Sequence, residues 1–455
     1  MKTVGMRSIV LYILLFAFLG GLGYFVVELF INGSWWATQP YNGHLYSEKA
    51  TAKLGDIKDV NGNLLASTED GVRVYSEDET VRRALYHTVG DNYGYISTGV
   101  QHTMSSRLSG YNVITGLNDT VFNRLGSNLE LTVDQNVCTA AYHALDGHNG
   151  GIIVYNYKNG DVICKVSTPT VDPENVPEDI ETNEDYKGVY LDNTLSGSFT
   201  PGSIFKVVTA AAAMELWPDS WSERTYTCEG SLEMGGDDIT CLHGDAHGTQ
   251  NMYEALGNSC NVYFAQLARD IGSELLQKKA EEMGFNMVLS FDGISVSEST
   301  IDLSGCNENQ LGWAGVGQYT LLANPYHMMV LMGATANGGE YVQPRLTSGL
   351  DLFGGFRQED RRLMTAGTAS QLKSLLRNDV EEYYGDWMFP EGMNVCAKTG
   401  TGEVGEEKAP NCWIIGFCDS EKYPYAFAAL VEEGSGGIES AGNAIAAVLR
   451  EIVNS

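Results

Sequence analysis

Three short groupings in the chain could carry acyl-transfer chemistry. The first is Ser203-Ile204-Phe205-Lys206, which follows Pro201-Gly202 and precedes an alanine-rich apolar run. Residues three apart share one face of a helical turn, so the hydroxyl and the amine meet. Serine is a weak nucleophile until a base takes its proton. A lysine can be that base when burial and a neighbouring cation lower its pKa toward neutrality. A helix N-terminus at this point also offers free backbone N–H groups to an oxyanion. The second grouping is Ser259-Cys260-Asn261. Its hydroxyl can relay a proton to a leaving group, and its carboxamide can hydrogen-bond a substrate amide and the lysine. The third is Lys398-Thr399-Gly400-Thr401. On an edge strand this lysine supplies positive potential, the threonine hydroxyls hold a carboxylate, and Gly400 lets the backbone approach a ligand closely.

Context separates these residues from look-alikes. A second Ser-x-x-Lys, Ser370 to Lys373, falls in an amphipathic helix and reads as a solvated pair. Ser203 instead sits between a Pro-Gly turn and a helix that would bury Lys206. Met328, Met329 and Met332 read as helix core, and the carboxylates from Asp379 to Glu382 as a solvated face.

The elements that must position these groups alternate between strands and helices. Residues 151–157 and 162–166 are strand-like and flank Asn159-Gly160, a strong hairpin signal. Asn61-Gly62 between apolar positions marks an earlier hairpin. Helices are predicted over 135–145 and 207–216, a loop over 168–192, and two strands over 410–432. Strands, then helices, then strands again predict an α+β fold with an antiparallel sheet.

Residues 8–27 are uncharged and mostly apolar. As a helix they span roughly 30 Å, a bilayer core. Lys2 and Arg7 precede the run and Glu28 follows it, so the positive-inside bias places the N-terminus in the cytoplasm and the rest outside. Trp35 and Trp36 fall at interfacial depth. The run is longer than a signal-peptide core, which predicts an uncleaved anchor. The length of 455 residues allows about three domains. Lys plus Arg number 28 against 58 Asp plus Glu, a formal net charge of −30. That balance argues against nucleic-acid binding, which needs a basic surface. With 43% hydrophobic residues, wholesale disorder is excluded.

In the order S-x-x-K, S-x-N, K-T-G, the three groupings resemble the signature of serine penicillin-binding proteins and β-lactamases. More of the chain is similar to class B penicillin-binding proteins, the peptidoglycan D,D-transpeptidases. Gly55-Asp56-Ile57, Asp59-x-Asn61-Gly62 and Leu65-Ala66 resemble that class's membrane-proximal segment. Leu131-Thr132-x-Asp134-Gln135, Gly150-Gly151 through Asp172-Pro173, and Asn193 with Ser198 to Gly202 resemble later stretches. So do Gly315-x-Gly317-Gln318 and Ala336-Asn337-Gly338-Gly339. Ile204, Phe199 and Ala397 stand where the class usually has threonine, tyrosine and glycine. None of the three removes a group that performs the chemistry.

The resemblance implies a penicillin-binding transpeptidase fold, an antiparallel five-stranded sheet flanked by helices, with a small N-terminal α+β domain and one transmembrane helix. It divides the chain into a cytoplasmic tail (1–7), an anchor (8–31), a linker with a small membrane-proximal domain (32–135) and a transpeptidase domain (136–455). It implies catalytic roles for Ser203, Lys206, Ser259, Asn261 and Lys398, and substrate binding by Thr399, Gly400 and Thr401. The expected ligands are stem pentapeptides and β-lactam antibiotics. The expected partner is a multi-pass membrane glycosyltransferase, and no cofactor or metal is implied. Two other readings use the same triad: a β-lactamase or penicillin sensor, and a non-catalytic cell-wall scaffold. A membrane anchor and an N-terminal domain ahead of the triad fit a transpeptidase better than a secreted hydrolase. Roles in division, elongation and sporulation all remain compatible with the sequence.

Nine cysteines are too few for a disulfide scaffold. Cys228, Cys241, His243 and His247 have the spacing of a Cys2His2 zinc site. Outside the membrane a disulfide is also permitted, and similar transpeptidases often carry paired cysteines in this region. The expectation is therefore a Cys228–Cys241 disulfide in a loop near the active site, with free thiols and zinc as the alternatives. Cys412 and Cys418 share strand parity but lie too far apart to bridge. Cys260 has no basic partner in the sequence that would make it a nucleophile.

Overall fold

β-Branched and aromatic residues are frequent in the strands of the five-stranded sheet of this protein, and an alanine-rich run supplies the helix that follows Ser203. The computed structural model describes residues 2–38, 54–70, 72–109, 127–347, 361–405 and 409–455. Helix α1 (Lys2–Thr38) contains an apolar stretch, Ser8–Leu29, with mean hydropathy 2.4. It is long and apolar enough to cross a membrane, consistent with a single-pass protein. The side chains of Trp35 and Trp36 lie outside the described residues.

Packing divides the chain into two units. The smaller takes Met1–Lys58, Leu64–Tyr75 and Val89–Leu129. It carries strands β1 (Ile57–Lys58), β2 (Leu64–Glu69) and β3 (Val72–Tyr75), which with β4 (Leu129–Glu130) form a sheet in the order β3-β2-β1-β4. The predicted Asn61-Gly62 turn joins β1 to β2, and Gly62 has the left-handed φ of 82° that such a turn needs. Arg73 is buried here and donates to the Gly55 carbonyl at 2.9 Å and to Gln101 at 2.8 Å. Burial pushes its guanidinium down to about 10.

The larger unit takes Glu130–Ser455 and also Asp59–Asn63 and Ser76–Thr88. Those two segments come from the stretch assigned by sequence to the membrane-proximal domain. Side-chain bonds explain where Ser76–Thr88 belongs. Arg82 meets Asp172 through two nitrogens at 2.7 and 2.8 Å, and buried His87 bonds the carbonyls of Ser167 and Val189.

The unit is built on α2 (Gln135–Ala144), β5 (Gly150–Asn156), β6 (Val162–Thr168), α3 (Lys206–Leu216), β7 (Tyr226–Cys228), β8 (Ser231–Met234), β9 (Asp237–Thr240), β10 (Gly248–Gln250), α4 (Met252–Gly257), α5 (Asn261–Ile271), α6 (Glu308–Val316), α7 (Pro325–Ala336), α8 (Ala366–Asp379), β11 (Val395–Gly402), β12 (Asn411–Cys418), β13 (Tyr425–Val431) and α9 (Asn443–Asn454). The five-stranded sheet runs β11-β12-β13-β5-β6, every neighbour antiparallel. Every residue of β12 is buried, so both faces of the sheet are covered. Helix α7 packs on β12, β13 and β5, and α2 and α9 pack on each other. The sheet-order edge strand β11 carries Lys398, as its sequence context predicts. Met328, Met329 and Met332 are buried core on α7, and Lys373 on α8 forms a surface ion pair with Asp419 at 2.7 Å.

A dry ion pair ties β6 to the chain approaching the nucleophile. Lys165 on β6 meets Asp192 at 2.5 Å, with both side chains almost wholly buried. Asp192 accepts from the Thr194 backbone at 3.0 Å and hydroxyl at 2.5 Å, and Lys165 donates to the His87 carbonyl at 3.3 Å. Next to it, Asn193 donates to the Thr168 carbonyl at 2.8 Å. Removing one member strands a buried charge, at a cost of about 3–5 kcal/mol. Asp192→Ala is therefore expected to lower the unfolding free energy from urea titration by that amount. A replacement within about 0.5 kcal/mol of wild type would show that the pair is not structural.

Candidate active site

The nucleophile turn begins at Gly202, whose φ of 55° is left-handed. A Cβ there would lie 2.3 Å from the Thr401 carbonyl oxygen, so glycine is required by space as well as by conformation. Residues Gly202–Phe205 form one 3₁₀ turn that runs into α3. Ser203 is half-buried on this turn, and Lys206 is fully buried one turn later.

Four oxygens surround the Lys206 amine. Its Nζ lies 2.6 Å from the Ser259 carbonyl, 2.8 Å from Asn261 Oδ1, 3.1 Å from Ser203 Oγ and 3.2 Å from Ser259 Oγ. The first two can only accept. A neutral amine has two N–H donors and one lone pair, so donating to those two turns the lone pair toward the hydroxyls, which can donate. Asn261 is held in this orientation because its Nδ2 donates to the Thr240 carbonyl at 2.8 Å. Ser259 reaches the amine through a left-handed φ of 51°, a conformation that costs a non-glycine residue about 1 kcal/mol or more. Burial, reinforced by the charge of Lys398, pushes Lys206 down to about 7. The amine is therefore substantially neutral at physiological pH.

Strand β11 forms the opposite wall. Lys398 is buried and donates to the Tyr384 hydroxyl at 3.0 Å. The same oxygen lies 3.2 Å from the Thr399 N–H and 3.1 Å from Thr399 Oγ1. Gly400 makes room for the nucleophile turn: a Cβ there would lie 2.8 Å from the Pro201 oxygen and 2.9 Å from Ile204 Cγ2. Two departures from the class pattern are accommodated locally. Ile204 fills the space beside Gly400, and Ala397 pairs with Gly416, which has no side chain to oppose it. Phe199 meets Trp413 edge-on at 6.3 Å, and Trp413 Nε1 donates to the Thr200 carbonyl at 3.0 Å.

Ser203, Ser259, Asn261, Thr399, Gly400 and Thr401 all line one cleft of about 750 Å³, with Lys206 and Lys398 beneath its walls. The arrangement offers a nucleophile, a tunable base, a second hydroxyl and two threonines for a carboxylate. Two residues of the site were not anticipated. Tyr384 is signalled in the sequence only by the Tyr383-Tyr384 pair ahead of K-T-G. Asp379 was expected on a solvated face, but it is fully buried at the end of α8, while Glu381 and Glu382 are exposed. Both carboxylate oxygens of Asp379 lack a hydrogen-bond partner among the described residues. Burial pushes this carboxyl up to about 7 against the opposing pull of Lys398 and Lys206.

The expected Cys228–Cys241 disulfide is not formed. The two sulfurs are 3.6 Å apart, whereas a bonded pair needs about 2.05 Å, and none of the nine cysteines is joined to another. Cys412 and Cys418 are buried in the sheet.

Residues 150–454 match the penicillin binding protein transpeptidase domain family. The chain belongs to the penicillin-binding protein transpeptidases. It resembles the peptidoglycan D,D-transpeptidase PbpA of Mycolicibacterium smegmatis, 25% identical over 459 residues, which cover 90% of this chain and 89% of the relative. Its fold matches penicillin-binding protein A of M. tuberculosis, solved as a ceftriaxone acyl-enzyme, with a TM-score of 0.77 at 23% identity, covering 89% of this chain and 99% of that one. The D,D-transpeptidase domain of a peptidoglycan glycosyltransferase from Eggerthella lenta matches at 0.74 and 23% identity, with the same coverages of 89% and 99%. The chain is a transpeptidase of the class B type with the five-stranded antiparallel sheet of penicillin-binding proteins.

For this transpeptidase the sign of the pH dependence follows from Lys206. With Lys206 as the expected base, the reactive form is the neutral amine, whose fraction rises with pH. Acylation by penicillin is therefore expected to rise about tenfold per pH unit below 7 and to level off above it. Asp379→Asn removes a carboxylate that favours the protonated lysine, so the midpoint moves to lower pH. Stopped-flow acylation at graded pH checks both; a flat profile from pH 5 to 8 would exclude Lys206 as the base.

Proposed function

We propose that the chain is a membrane-anchored serine D,D-transpeptidase that cross-links peptidoglycan stem peptides, with Ser203 as nucleophile and Lys206 as base. The observation that carries this reading is the buried amine aimed at Ser203 Oγ from 3.1 Å, with its donors occupied by two obligate acceptors. Names of the relatives support the substrate class: those matched across most of their length are peptidoglycan D,D-transpeptidases.

In this reading Ser203 Oγ attacks the carbonyl of the penultimate D-Ala of a pentapeptide, and its proton passes to Lys206. Backbone N–H groups of Ser203 and Thr401 hold the oxyanion. The C–N bond to the terminal D-Ala breaks, and the departing amine takes a proton through Ser259, with Lys398 nearby. Thr399 and Thr401 hold the terminal carboxylate, and Gly400 keeps the strand close to the nucleophile. An amine from a neighbouring stem then attacks the acyl-enzyme and restores Ser203. β-Lactams acylate the same hydroxyl. The apolar helix anchors the protein with Lys2 and Arg7 in the cytoplasm and the transpeptidase domain outside, where a multi-pass membrane glycosyltransferase is its partner.

Fluorescent penicillin added to the full-length protein is expected to label Ser203 and to remain bound for many minutes. Ser203→Ala should abolish labelling, and Lys206→Ala should slow it by about 10²–10⁴-fold. Release within seconds would make the protein a β-lactamase. Full complementation of a depleted strain by Ser203→Ala would make it a scaffold.

A further inference from the structure

Cys228, Cys241, His247 and Cys260 come from four separate stretches of sequence and converge beside the cleft. Cys228 ends β7, Cys241 follows β9, His247 precedes β10, and Cys260 caps α5. Pairing of β10 with β7 sets Gly248 opposite Cys228, which brings the histidine to the first cysteine. The four potential ligand atoms all lie within 4.8 Å of one another. Cys228 Sγ is 3.6 Å from Cys241 Sγ and 3.5 Å from His247 Nδ1, and Cys241 Sγ is 3.7 Å from Cys260 Sγ.

These separations can be compared with a metal tetrahedron. Zinc bonds of about 2.3 Å to sulfur and about 2.0–2.1 Å to nitrogen give sulfur–sulfur edges of about 3.8 Å and sulfur–nitrogen edges of about 3.5 Å. The three distances match those edges. A disulfide would use two of the sulfurs and strand the third. Two sulfurs also receive backbone donors: the Gly230 N–H points to Cys228 Sγ at 3.4 Å, and the Tyr263 N–H to Cys260 Sγ at 3.3 Å. Backbone N–H groups of this kind orient a metal-ligating sulfur. The three cysteines are buried and His247 is half-buried. His243, which the sequence spacing paired with His247, is exposed and outside the cluster; Cys260 takes its place.

We propose that Cys228, Cys241, His247 and Cys260 bind one structural zinc ion, contrary to the metal-free site expected from sequence. Four protein ligands close the coordination sphere, so the ion has no open position for water or substrate. Its consequence is positional. Cys260 stands between Ser259 and Asn261, and Cys241 follows Thr240, whose carbonyl accepts from Asn261. The ion fastens the loop bearing Ser259 and Asn261 to the β8–β9 hairpin.

The test is the metal content of the full-length protein, purified in detergent without chelator. The expected result is about one zinc per chain, with an X-ray absorption first shell of three sulfurs and one nitrogen. Cobalt exchanged into the wild-type protein should give thiolate charge-transfer bands, a readout that needs no variant. Cys228→Ser with Cys241→Ser should lose the metal and Cys306→Ser should keep it, while His247→Cys should retain it where His247→Ala does not. A Cys228–Cys241 disulfide found by mass spectrometry after alkylation of membranes would overturn the proposal. So would free thiols that fail to take up added zinc stoichiometrically.

Discussion

An amine with no exposed surface lies at the base of the cleft, and the structure around it answers what that amine requires. A lysine withdrawn from water must find enough acceptors or give up its proton. Lys206 has two oxygens that only accept and two hydroxyls that can reverse their role. It can therefore exist in either protonation state without leaving a partner unsatisfied. Reversibility of this kind suits a group that must take a proton and later return it.

Much of the remaining architecture holds those oxygens in place. The buried ion pair Lys165–Asp192 and the Asn193 bond fix the chain before the nucleophile. The Trp413 indole fixes Thr200 just ahead of it. On the far side, Asn261 is oriented by a hairpin carbonyl and Ser259 by an unusual backbone conformation. The buried charges nearby also oppose one another. Burial lowers Lys206 most, Lys398 lowers it further and Asp379 raises it, so the proton affinity of this amine depends on groups on three separate elements.

What could be read from the sequence was what is local. Ser203 and Lys206 are one helical turn apart, Asn159-Gly160 joins two paired strands, and residues 207–216 are mostly apolar, so periodicity and turn chemistry suffice for them. Resemblance to a family extended that reading to the five-stranded sheet, whose strands come from both ends of the larger unit. Long-range placement was not legible. Asp379 looks like one of several acids on a helix end, and it is buried where α8 packs against β11, α3, α4 and α7. Tyr384 reaches Lys398 through a turn that no spacing rule predicts. Cys260 joins Cys228 and Cys241 because β9 and α5 meet in space, whereas the sequence offered His243 at a tidier interval. Segments 59–63 and 76–88 lie in the stretch read as membrane-proximal, and they pack with the larger unit.

The absence of side chains at Gly202 and Gly400 has a bearing on drug escape. Any side chain at either position would collide with backbone that holds the nucleophile or its opposite wall. The floor of the cleft is therefore closed to the simplest mutational routes by which a cell could exclude a β-lactam. Adaptive substitutions that spare this turn fall on other cleft-lining residues such as Gln318, Glu403 and Ile438. Inhibitors that draw their affinity from the floor would meet a target whose geometry has little freedom to change.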